Sequence, residues 1–278
     1  MRRTSVLDLQ RMKADNQKIV MVTAYDRTMA RLADMAGVDM VLVGDSLGMV
    51  VQGEEDTLSV TVDEMVYHSR CVARGLGRAH LVADLPFMSY QVSTTQAMET
   101  ASRLVKEGRA HSVKLEGGER TAPAIERLVD VGIPVVGHVG LTPQSLHTMG
   151  GFRVQGRSEA AGRQVLADAL AVAEAGAFCV VLEGVPEDLA AEITEALDVP
   201  TIGIGAGAGC DGQVLVCTDL LGMDLSFAPK FVKRYAKLEE TIVEAMGTYA
   251  REVREGVFPA PEHVFRRKTR TPRIAKIY

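Results

Sequence analysis

Three carboxylates stand at the ends of short apolar runs: Asp45 in "VLVGDSLG", Asp84 in "HLVADLP" and Glu116 in "SVKLEGG". Taken singly, an acidic residue closing a strand is ordinary turn or helix-cap material. On neighbouring strands, three carboxylates in a partly buried mouth repel one another, and at least one keeps its proton unless a cation intervenes. All-oxygen ligation of this kind suits Mg²⁺ or a related hard divalent ion, which retains open positions for substrate. No cysteine joins the set, so a soft-metal site is not indicated.

Other residues gather around this trio. Lys114 precedes Glu116 by two positions, so both side chains point to one strand face. It is either a plain ion-pair partner or a binder of an anionic substrate beside the metal. His138 sits among glycines in "VGHVG", which leave room for a ligand at the backbone; a satisfied core histidine is the plainer alternative. Glu183 emerges from "FCVVL" across the mouth from the trio. Apolar surroundings raise a carboxylate's pKa and suit it to general-base work. The alternative puts Glu183 in the next loop, solvated or capping a helix. Gly44 and Gly48, on either side of Asp45 and Ser46, read as clearing space around a ligand.

These residues need a frame that brings strand ends together. Eight Val-, Ile- and Leu-rich runs recur along the chain: "KIVMVTAY", "DMVLVGD", "HLVADLP", "SVKLEG", "PVVGHVG", "FCVVLEG", "PTIGIGAG" and "QVLVCTD". Most are continuously apolar, as strands covered on both faces are. Helical segments lie between most of them, several ending in a glycine C-cap. The pattern predicts a (β/α)₈ TIM barrel, whose chemistry gathers at the C-terminal ends of the strands. A doubly wound open sheet uses the same alternation, but eight strands rather than five or six favour the barrel. The seventh crossover, "AGAGCDG", is too short for a full helix. A helix around Ser5–Ala14 is expected before strand one, and a long helix from Phe231 to Val253 is expected to be the last outer cover. The expected organisation is one barrel domain over residues 1–265 and a basic tail over 266–278.

Composition narrows the class. The chain has 278 residues, 47% hydrophobic and 24% charged, with a formal net charge of −5. That balance gives no basic footprint for nucleic acid, and the C-terminal "FRRKTRTPRIAK" reads as a solvated tail. No run approaches the ~20 apolar residues that span a bilayer, and no apolar core of signal-peptide length follows the basic start. No membrane partner is therefore expected. The four cysteines form no metal-type spacing, and so few in so long a chain suit a reducing cytoplasm. "GIGAGA", Gly203–Ala208, fits a dinucleotide fingerprint, but it comes late in the chain and no helix clearly opens behind it. A nicotinamide-type oxidoreductase would rest on that stretch alone.

The motifs "VTAYD", "VLVGDSLGMVVQG", "VADLPFMSY", "VKLEGG", "GHVGLTPQS", "GGFRVQGR" and "TIGIGAGAGCDGQVLV" together resemble the 3-methyl-2-oxobutanoate (ketopantoate) hydroxymethyltransferase family. The resemblance runs from about residue 5 to about 265. It implies a barrel related to the phosphoenolpyruvate mutase and isocitrate lyase superfamily. It implies Asp45, Asp84 and Glu116 as Mg²⁺ ligands, and Asp45, Ser46, Asp84 and Lys114 as contacts to the keto acid. It implies Glu183 as proton acceptor and His138 as a substrate-pocket residue. The implied reaction moves a one-carbon unit from 5,10-methylenetetrahydrofolate to 3-methyl-2-oxobutanoate, opening pantothenate synthesis, in a homo-oligomer that is commonly a decamer. Two positions depart from the family pattern: Gly184 follows Glu183 where a larger residue is frequent, and Thr218 precedes Asp219 where histidine is frequent. The nearest rival is a metal-dependent C–C lyase or mutase on the same barrel, but no cysteine here lies in the reactive loop such enzymes carry.

Overall fold

A computed structural model describes residues 2–226 and 229–267. The eight apolar runs form parallel strands: β1 (Ile19–Thr23), β2 (Met40–Val43), β3 (His80–Asp84), β4 (Ser112–Glu116), β5 (Val135–Gly140), β6 (Cys179–Glu183), β7 (Thr201–Ile204) and β8 (Gly212–Leu215). They close in chain order, β8 pairing with β1, into a barrel. The connecting helices among the described residues are α1 (Val6–Ala14), α2 (Arg27–Met35), α3 (Val62–Ala73), α4 (Thr94–Lys106), α5 (Ala122–Asp130), the single turn α6 (Leu146–Met149), α7 (Glu159–Glu174), α8 (Glu187–Ala196), α9 (Cys217–Leu221) and α10 (Leu238–Glu255).

Strand alternation sorts the side chains into two cores. One lies between barrel and helices and includes Val41, Val43, Leu81, Ala83, Val113 and Leu115. The other fills the barrel, with Ile19, Met21, Met40, Leu42, Val82, Val136, Val181 and Ile202. Leu9 of α1 is fully buried among these, so the N-terminal helix plugs the bottom of the barrel. Ser5 caps that helix through a reciprocal box with Asp8. Lys13 on the same helix ties to Asp211 at 2.8 Å, ahead of β8.

Following the inward positions upward explains the mouth. β3 presents His80, Val82 and Asp84; β4 presents Ser112, Lys114 and Glu116; β5 presents Val136 and His138; β6 presents Cys179, Val181 and Glu183. Registers set Asp84 beside Lys114 and Glu116 beside His138. Polar residues at both rims of an apolar barrel thus follow from a two-residue period.

Of two expectations about the outer wall, one holds and one changes. Residues 205–211 join β7 to β8 without a helix, as the short crossover foretold. A cavity of about 580 Å³, lined by Ile19, Val20, Gly205, Gly212 and Phe231, opens there. The last long helix begins at Leu238 rather than Phe231, and none of its residues is buried. It therefore does not serve as the eighth outer cover, because a sequence pattern shows an apolar face without showing what meets it. The expected basic tail lies outside the described residues from position 268 onward.

Candidate active site

Asp45, Asp84, Lys114, Glu116 and His138 all lie at the C-terminal mouth and are buried, none more than 6% exposed. Lys114 Nζ stands 3.0 Å from Asp84 Oδ1 and 3.2 Å from His138 Nδ1. The Asp84 contact is an ion pair without hydrogen-bond alignment. The other Asp84 oxygen, Oδ2, accepts from the backbone N–H of Asp45 at 3.2 Å. His138 bridges two carboxylates: Nδ1 lies 3.4 Å from Glu116 Oε1, and Nε2 lies 3.1 Å from Glu183 Oε2. Glu183 belongs to β6 itself and is neither in the following loop nor a helix cap, since α8 starts behind Pro186. Ser46 is held by the Tyr25 hydroxyl at 2.9 Å.

Charge at the mouth is out of balance. Burial pushes the Asp45 carboxyl well above the usual range, and the neighbouring Asp84 and Glu116 push it further. Burial also raises Asp84, against the pull of Lys114. Burial works the same way on Glu116, but His138, the Lys114 charge and the Gln144 backbone N–H together outweigh it and bring the net shift below the ordinary value. Burial alone would lower Lys114; Asp84, Glu116 and Asp45 overcome that and keep the ammonium protonated. At His138, burial and Lys114 both favour the neutral ring, yet the two carboxylates prevail and its pKa is pushed up to about 9.

Three buried carboxylates that together force one to hold its proton are the donor chemistry a hard divalent cation satisfies. By residue type, Asp45, Asp84 and Glu116 fit such an ion. Among the described residues, no three His, Cys, Asp or Glu side chains are arranged to hold one as they stand. Protein partners occupy the donors instead: Lys114 faces Asp84, and Gln144 binds both Asp45 and Glu116.

Gln144 and Tyr90 were not among the residues singled out from sequence. Both are buried, on loops that follow β5 and β3. The stretches "GHVGLTPQS" and "VADLPFMSY" contain them, but no local pattern shows that their side chains meet. The glycines also need correction. A Cβ on Gly44 would meet Ser46 Oγ at 2.7 Å, so this glycine does serve the site. On Gly48 it would meet Val60 and the Asp56 carbonyl at about 3 Å, so that one serves packing. On Gly140, with φ +91°, it would sit 2.4 Å from the Glu183 carbonyl oxygen, and on Gly137 it would meet Val172. The glycines around His138 let strand and helix approach; they do not clear space for a ligand. Asp26, at the end of β1, is the N-cap of α2.

A family model for ketopantoate hydroxymethyltransferase matches residues 3–261. The chain belongs to that family. Ketopantoate hydroxymethyltransferase relatives include the 3-methyl-2-oxobutanoate hydroxymethyltransferase of Syntrophotalea carbinolica, 61% identical over 264 residues, covering 95% of this chain and 99% of that protein. The enzyme of the same name from Moorella thermoacetica is 58% identical, covering 95% of this chain and 98% of the relative. By family, then, the chain is an enzyme and a hydroxymethyltransferase. Among solved structures, 2,3-dimethylmalate lyase, a PEP mutase/isocitrate lyase superfamily member, aligns with TM-score 0.60 at 18% identity, over 94% of this chain and 92% of its own. Phosphonopyruvate hydrolase aligns with TM-score 0.60 at 12% identity, over 96% and 92%. These two likenesses are of fold: both solved chains share the barrel architecture. The dinucleotide reading of "GIGAGA" has no helix to support it, since β7 runs through residues 205–211 straight to β8.

Proposed function

We propose that the chain transfers a hydroxymethyl group from 5,10-methylenetetrahydrofolate to 3-methyl-2-oxobutanoate, giving 2-dehydropantoate and tetrahydrofolate at the first committed step of pantothenate synthesis. One observation carries the reading beyond family membership: a buried trio of carboxylates with Lys114 inside it, and a fourth carboxylate, Glu183, set apart behind His138. The obstacle is a tertiary C–H beside a ketone, a poor acid in water.

Asp45, Asp84 and Glu116 are the residues that would hold Mg²⁺. The chemistry such an ion supplies when bound is stabilisation of negative charge on the substrate's carboxylate and keto oxygens. Lys114, kept as an ammonium by its carboxylate neighbours, adds positive charge on the same side. Asp45, Ser46, Asp84, Lys114 and His138 line the place of the keto acid. Glu183 takes the proton from C3, with the His138 ring beside its Oε2. The methylene is freed from one of its two folate nitrogens, which takes up a proton, and the carbanion attacks that carbon. Water then replaces the second carbon–nitrogen bond, its hydroxyl going to the product and its proton to the nitrogen of the departing tetrahydrofolate.

The deciding assay supplies both substrates with Mg²⁺, then with a chelator, and follows ketopantoate. Product that appears only with the metal is expected. Turnover indifferent to the chelator would overturn the metal reading, and no product under either condition would overturn the reaction.

The reading extends to a cytoplasmic homo-oligomer, for which a decamer is the size the resemblance implies. Val243, Met246, Tyr249 and Val253 make one exposed apolar stripe along α10, and a stripe of that kind marks a surface that another protein face covers. Among the described residues no helix is long and apolar enough to cross a membrane. Sedimentation velocity at micromolar concentration tests the assembly: a single species of monomer mass would remove it.

A further inference from the structure

Gln144 touches two of the three carboxylates at the mouth, and nothing in the proposed chemistry uses it. Its side-chain Nε2 donates to Asp45 Oδ2 at 2.8 Å and to the Leu85 carbonyl at 2.9 Å. Its Oε1 accepts from the Tyr90 hydroxyl at 2.7 Å and from Gln91 Nε2 at 3.0 Å. Its backbone N–H donates to Glu116 Oε2 at 2.9 Å. One residue thus holds one oxygen of a carboxylate after β2 and one oxygen of a carboxylate on β4, with the strand bearing Asp84 between them.

The amide can sit only one way round. Flipped, its nitrogen would face the Gln91 nitrogen and its oxygen would face an Asp45 oxygen and a carbonyl, pairing donor with donor and acceptor with acceptor. The backbone contact is set independently. Pro143 opens the short turn Pro143–Ser145 with its φ fixed, and that turn aims the Gln144 N–H at Glu116. Tyr90 closes the frame: its hydroxyl lies 2.9 Å from the Glu116 carbonyl as well as bonding Gln144, and it accepts from the Glu116 N–H at 3.1 Å. Gln144 and Tyr90 are both nearly inaccessible to solvent, so water does not compete for these bonds.

We propose that Gln144 is a positioning residue: its amide, oriented by Tyr90, fixes Asp45 relative to Glu116 by holding one oxygen of each, so that Asp45 Oδ1 and Glu116 Oε1, the latter facing only the His138 ring at 3.4 Å, are set at a constant separation for a divalent cation. The proposal rests on the reading of this mouth as a Mg²⁺ site. Partners that hold ligating groups in this manner are worth about 10- to 100-fold in metal affinity.

The test is calorimetric titration of the full chain with MgCl₂, for the wild type, Gln144→Met, Tyr90→Phe and the double variant, with thermal unfolding recorded for each. Gln144→Met keeps the side chain's length and the backbone bond to Glu116 while deleting the amide. Its Mg²⁺ affinity is expected to fall by about 10- to 100-fold. Tyr90→Phe is expected to weaken binding less, and the double variant to lose less than the product of the two single losses, because Tyr90 works through the amide. A folded Gln144→Met chain that binds Mg²⁺ as tightly as the wild type would overturn the proposal while leaving the metal reading intact. If Gln144→Met does not fold, Tyr90→Phe decides: weakened binding supports the frame, and unchanged binding overturns it. Wild-type chain that takes up no Mg²⁺ would overturn the metal reading, and this inference with it.

Discussion

Four carboxylates and two basic side chains share one small mouth, yet they do not share one environment. Asp84 and Lys114 are locked together, burial and two like charges push the Asp45 carboxyl above its ordinary range, and Glu183 stands 3.1 Å from a histidine whose pKa is pushed up to about 9. That separation lets one carboxylate move a proton while the others carry charge. Glu183→Gln should therefore leave Mg²⁺ and keto-acid binding in place but slow exchange of the C3 proton by about 10²- to 10⁴-fold. Proton NMR of 3-methyl-2-oxobutanoate in deuterated water measures this, and near-normal exchange would remove Glu183 from the base role. The residues at this mouth that could be picked out in sequence all end apolar runs or lie two positions apart on a strand. Gln144 and Tyr90 escaped because their contacts close across 99 and 54 residues of chain. Such bonds exist only once the barrel has formed, and no local spacing encodes them.

The elements were largely legible, for a physical reason. A strand buried on both faces must be apolar throughout, and eight such runs appear in the chain as eight strands. What the pattern hid was how tightly the elements meet. Gly140 closes β5 with φ +91°, and its backbone approaches Glu183 at the end of β6 so closely that Leu141 N–H donates to the Glu183 carbonyl at 2.8 Å. Gly140→Ala demands a left-handed backbone from a residue with a Cβ, and sets that Cβ 2.4 Å from a carbonyl oxygen. The strain in the backbone alone costs about 1–3 kcal/mol. We expect a lower urea midpoint and, because the clash is with Glu183 itself, a fall in kcat beyond that of a distant variant of equal stability. Unaltered stability would show that β5 and β6 can separate without cost. The element whose role sequence mistook is α10, where an amphipathic stretch looked like an outer cover but lies with no buried residue.

At the scale of the whole molecule, the rim opposite the active site adds its own response to acid. His80 and His111 pack edge to face at the bottom of the barrel. Burial lowers both rings to about 4, and each is in a contact that suits the neutral form: His111 Nδ1 accepts from the Leu81 N–H, and His80 Nε2 pairs with Ser112 Oγ. Unfolded, both titrate near 6.5, so below that pH the unfolded chain takes up protons that the folded one refuses. The stability these two rings contribute should be full above about pH 6.5 and decline as pH falls toward 4, with His80 contributing up to about 3 kcal/mol of the loss. Urea unfolding at pH 7 and pH 4.5 measures it, and a His80→Asn chain with an undiminished pH slope would exonerate that ring. The helix-free crossover at residues 205–211 has a different bearing, on how the ring comes apart. β7 and β8 share two residue pairs where β5 and β6 share five, and no helix lies across their connection. A closed ring parts first at its narrowest junction, so amides of 212–215 should exchange with solvent through local opening. Those of β3 to β5 should wait for the entire domain to unfold. Equal protection around the ring would show that its strands let go together. Otherwise the carboxylate cluster rides on the arc of the barrel that is last to loosen, while the opposite seam breathes.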